Sequence, residues 1–125
     1  MIGLMESVED LYVKGLDLSL EKKYSEAILA FQQAIEKDPK YMDTYHSLAM
    51  TYLHAGDVDK AIETEQKAIE VSPNEKMSHA NLSIFLQKKG LIKEAEAAKA
   101  KATILTWKQE NKERKEAKEN PKSPS

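Results

Sequence analysis

Few residues in this chain could do chemistry. There are three histidines, His46, His54 and His79, and no cysteine. Without a thiol no disulfide framework can form, and a nucleophile would have to be a serine, threonine, lysine or carboxylate. His46 and His54 lie eight positions apart, about 12 Å along a helix axis, too far to share one metal ion. Asp43, three residues before His46, leaves at most a two-ligand contact, and the histidines read as solvated polar side chains. Glu65 is the other candidate. It stands, as Lys99 does, at a position that Phe31 fills earlier in the chain. A carboxylate buried there would carry a raised pKa and could act as an acid or base. Glu65 is instead expected to reach solvent or to pair with a neighbouring lysine. No glycine-rich phosphate loop, H-E-x-x-H or G-x-S-x-G occurs. No catalytic residues, metal ligands or cofactor are expected, and no enzyme activity.

The elements that hold these residues repeat. The central stretch reads Tyr45-x-x-Leu48-Ala49-x-x-Tyr52, then Ala61, Ala68 and Pro73. Thirty-four residues earlier stand Leu11, Lys14, Gly15, Leu18, Ala27, Ala34 and Pro39. Thirty-four later stand His79, Leu82, Ser83, Leu86, Ala95, Ala102 and Trp107. Small residues let two helices approach and large ones fill the grooves between them. The pattern and its period resemble the tetratricopeptide repeat family. The resemblance implies an all-α fold of three helix hairpins, residues 8–41, 42–75 and 76–109. Its six antiparallel helices would form a right-handed superhelix.

Local signals agree. Ser7 with Asp10 predicts a capping box for a helix running to about Leu20. Ala27, Ile28, Phe31, Ala34 and Ile35 form a helical stripe that Asp38-Pro39 stops. Asp57 is the expected N-cap of the fourth helix, and Lys76 to Lys88 forms the fifth. Gly56 and Gly90 mark the turns within repeats two and three, with Lys22 at the same place in repeat one. Nothing breaks the last helix between Gly90 and Pro121, so it should run from about Ile92 to about Lys118, roughly 40 Å. Ile28 and Ile35, like Ile62 and Ile69, should pack on the next repeat. Their third-repeat counterparts are Glu96 and Thr103, which predicts that the array ends at three. Residues 1–7 form a lead, and residues 110–125 a charged helical extension with a disordered tail from Asn120.

The 125 residues are 41% hydrophobic and 32% charged, with 19 basic against 21 acidic side chains and a net charge of −2. That balance argues against a phosphate-tracking nucleic-acid binder. No apolar run is long enough for a membrane span or a signal peptide, and the cytoplasm is the expected location.

In the family the first helix of each repeat lines a concave surface. Here those positions include Tyr12, Leu16, Asp43, His46, Met50, His54, Met77, Ala80 and Ile84, an apolar strip with adaptable methionines. The resemblance thus implies a groove for a partner's apolar or amphipathic segment. Some tetratricopeptide proteins clamp acidic chaperone tails with lysine, arginine and asparagine. The matching residues here are Tyr12, Leu16, Ser47, Met77 and Asn81, none of them a cation, so chaperone tails are not expected partners. A second face reads Ala97, Ala100, Ile104 and Trp107, where the earlier repeats are mostly polar. Trp107 either folds back on its own repeat or offers a contact, to a partner or to a second copy across a two-fold axis. The expected function is a non-catalytic interaction module. The alternative is a structural subunit or self-associating scaffold working through the last helix.

Overall fold

A computed structural model describes residues 6–120. Residues 1–5 and 121–125, which hold most of the expected lead and tail, lie outside the described residues. Six helices follow one another: α1 (Val8–Leu20), α2 (Tyr24–Lys37), α3 (Met42–His54), α4 (Val58–Val71), α5 (Lys76–Lys88) and α6 (Ile92–Glu119). Each packs on the next, and α3 also touches α1 and α5, so the first helices of the hairpins share one side of the superhelix.

The ends form where the sequence places them. Asp10 N–H donates to Ser7 Oγ at 3.0 Å and Ser7 N–H to Asp10 Oδ2 at 3.1 Å, a complete capping box. Asp57 accepts from Lys60 N–H. α1, α3 and α5 close in one way. In the first turn Lys23 N–H bonds Leu18 O at 2.8 Å and Lys22 N–H bonds Ser19 O at 2.9 Å, and the same two bonds recur around Gly56 and Gly90. This motif needs a left-handed residue at its centre. Gly56 and Gly90 supply it with φ of 90° and 86°; Lys22 adopts it at 63° despite its side chain.

The repeating alanines are the hinge of the packing. Ala27 and Ala61 are fully buried, and Ala95 nearly so, which lets the paired helices meet closely. One apolar cluster joins Ala27, Phe31 and Leu48 across repeats one and two; another joins Ala49, Ile62, Phe85 and Leu86 across repeats two and three. The joints between hairpins are tied alike. Tyr45 donates its hydroxyl to Pro39 O at 2.8 Å, and His79, at the equivalent position, donates Nε2–H to Pro73 O at 2.9 Å. Glu96 and Thr103 are exposed, as the end of an array requires.

Candidate protein-binding groove

α1 and α3 are laced by hydroxyls. Ser19 Oγ lies 3.2 Å from Thr51 Oγ1, Thr51 donates to Ser47 O at 2.8 Å, and Tyr12 OH lies 3.1 Å from Ser47 Oγ. Beside this seam runs an open groove of about 620 Å³, with Leu16, Leu20 and Met50 supplying apolar lining above the buried Phe31, and His46, His54 and Lys22 polar lining. Leu16, His46, Met50 and His54 are thereby brought together. Tyr12 is not part of the lining. Its ring packs against Phe31 and Tyr41 at centroid distances of 5.9 and 5.4 Å. Met77, Ala80 and Ile84 lie on α5 outside this groove, with Met77 and Ile84 exposed.

Two expectations about chemistry are corrected. Glu65 neither reaches solvent nor meets a lysine: it is 0% exposed. His46 Nδ1 donates to its carboxylate, 3.0 Å from Oε1 and 3.2 Å from Oε2, and Asn81 Nδ2 donates to Oε2 at 2.7 Å. The triad links α3, α4 and α5. It forms because repeat two places a carboxylate where repeat one has the buried Phe31, and a buried charge must find partners. Nor are the histidines all solvated. His79 is buried in the linker bond described above, the His46 side chain is 14% exposed, and only His54 is open to solvent. Burial alone would lower the His46 pKa. The hydrogen bond and charge of Glu65, then the charges of Glu75 and Asp43, outweigh it and hold the pKa above the usual histidine value. This histidine–carboxylate pair has no serine or threonine hydroxyl bonded to the imidazole: Nε2 is without a partner among the described residues. Nor do three His, Cys, Asp or Glu side chains gather as a metal site among those residues.

On α6, Ala95, Ala98 and Leu105 are buried, whereas Ala97, Ala100, Ile104 and Trp107 are exposed. Trp107 is 61% exposed, so it does not cover its own repeat. No described helix is long and apolar enough to cross a membrane.

Paired antiparallel helices recurring around buried alanines define a helical-hairpin solenoid. The family model of the tetratricopeptide repeat matches residues 30–63, so the chain carries a tetratricopeptide repeat. The photosystem I assembly protein Ycf3 of Synechococcus sp. (strain CC9605) is 30% identical over 86 residues, which are 66% of this chain and 50% of the relative. The chain thus spans about half the length of the curated relatives it matches. A crystal structure of MamA superposes with a TM-score of 0.78 at 30% identity, over 84% of this chain and 61% of that one. The second tetratricopeptide domain of Spaghetti (RPAP3), solved with an HSP90 peptide, gives 0.71 at 20% identity over 80% and 93%. At that identity the likeness is one of fold.

Proposed function

We propose that this chain is a non-catalytic interaction module that holds an apolar or amphipathic segment of a protein partner in the groove between α1 and α3. The groove carries the reading. Leu20 and Met50 remain exposed beside a seam whose hydroxyls already satisfy one another, so what the surface still offers is mainly apolar contact. The similarity to an assembly protein supports the same reading. To test it, partners captured by the tagged chain are identified by mass spectrometry and their affinities measured. Leu20→Asp with Met50→Asp should weaken binding about tenfold or more with helicity unchanged, since neither side chain belongs to the buried core. Unchanged affinity in that variant would reject the groove.

An acidic chaperone-tail peptide should show no saturable binding near 1 μM, about −8 kcal/mol. Tyr12 and Ser47 bond each other, and Asn81 is committed to Glu65. Saturable binding lost with the peptide's terminal carboxylate would overturn this.

The exposed Trp107 supports a second reading, a scaffold that pairs through α6. Large exposed aromatic side chains favour contact faces, and the alanines on the same side would admit a close helix. Dilution should then split a dimer, and Trp107→Ala should abolish it. A natural chain that stays monomeric at every concentration ends the self-association reading.

A further inference from the structure

The groove is electrically uneven. Where α1 turns into α2 and α3 ends, its lining includes Lys22 and His54, and no carboxylate lines it. Beyond that lining, toward the start of α3, stands Asp43, exposed and one helical turn before the groove-lining His46; Glu75, just before α5, acts on the same imidazole. Lys22 is also held where a lysine is disfavoured. Its φ of 63° falls in the left-handed region that Gly56 and Gly90 occupy in the other two turns, and a β-carbon there works against the backbone. Such strain persists when the side chain serves something beyond the turn. Lys22 makes no ion pair among the described residues, whereas Lys23 beside it reaches Glu21 at 3.4 Å. The His54 ring lies against Tyr24, centroids 6.5 Å apart, which keeps it on the same lip.

We infer that the groove takes its segment in one direction, with an acidic side chain of the partner at Lys22 and His54 and a basic one at Asp43 and Glu75. This rests on the groove reading above and names the chemistry of its occupant. From Asp43 to His54 the helix advances about 16 Å, the reach of about five residues of extended chain. The occupant is therefore a short linear segment, apolar in the middle with an acidic residue at one end and a basic residue at the other. Opposite charges at the two ends set the register, and the reversed peptide meets like charges at both. A uniformly acidic tail would be repelled at the Asp43 end.

The test is selection from a displayed library of random twelve-residue peptides on the full chain, followed by affinity measurement with labelled synthetic peptides. The selected set should share an apolar centre flanked by one acidic and one basic residue in a fixed order. Lys22→Gly should weaken these peptides about three- to tenfold, and Lys22→Arg should not. The same Lys22→Gly variant should melt about 2–5 °C higher than the natural chain, because the turn is relieved. That combination, more stable and weaker in binding, is not what a purely structural lysine gives. Peptides that lose affinity with Met50→Asp but not with Lys22→Gly would overturn the inference and leave the groove reading standing. Peptides indifferent to both variants, or no selected peptides at all, would overturn both. A lower melting temperature for Lys22→Gly would remove the strain argument and the inference with it.

Discussion

His46→Ala should destabilise the fold by about 3 kcal/mol or more, a cost typical of removing one member of a buried ion pair. The reason is what remains. Glu65 is wholly enclosed, and without the imidazole its carboxylate keeps Asn81 as its one side-chain donor. Glu65→Leu alone leaves Asn81 and His46 without their acceptor and should also destabilise. The double variant His46→Leu with Glu65→Leu should be better than either, because apolar residues of similar volume often replace a buried ion pair with little loss. Urea midpoints of His46→Leu, Glu65→Leu and the double form a cycle that reads the coupling directly. A loss under 1 kcal/mol for His46→Ala would mean that the pair does not hold α3 to α4. The pH dependence has a fixed sign. The native imidazolium is favoured, so the stabilisation is whole below the unfolded pKa of about 6.5 and fades as the pH rises through the raised native value. Stability should fall from pH 6 upward in the natural chain and be flatter in His46→Gln.

Much of this architecture is legible in the sequence because it is periodic. Ala27, Ala61 and Ala95 mark closely packed helices, Ser7 and Asp57 mark starts, and the uninterrupted stretch after Gly90 gives a last helix ending within one residue of its expected limit. The triad is not periodic. The repeat register did place Glu65 on a buried stripe, since Phe31 stands at the same point, but it could not name a partner. His46 and Asn81 lie on two other helices, and their meeting depends on how three helices cross. The groove was legible as a set of positions and less so as a surface. Tyr12 faces the concave side by register, yet stacking on Phe31 and Tyr41 absorbs its ring. Whether Trp107 folds back was open for the same reason. Nothing local decides it, because α5 ends before its partner helix does.

Phe31→Ala should cost about 3–5 kcal/mol, the range for emptying a buried aromatic site, and the loss should depend on Gly15. The Phe31 ring is fully buried against α1, and a β-carbon placed on Gly15 would lie 2.5 Å from its Cε1 atom. The two residues are therefore one packing unit. The register supports this, since the same pair of positions is Ala49 with Glu65 in repeat two and Ser83 with Lys99 in repeat three. The bulkiest ring accompanies the residue with no side chain. Gly15→Ala alone should destabilise by about 1–3 kcal/mol through overpacking, although alanine is the better helix former by about 1 kcal/mol. In the Phe31→Leu background the clash disappears and the helix preference remains, so Gly15→Ala should there be neutral or stabilising. Chemical denaturation of the four chains measures that change of sign. If Gly15→Ala destabilised both backgrounds equally, the ring would not be the reason for the glycine.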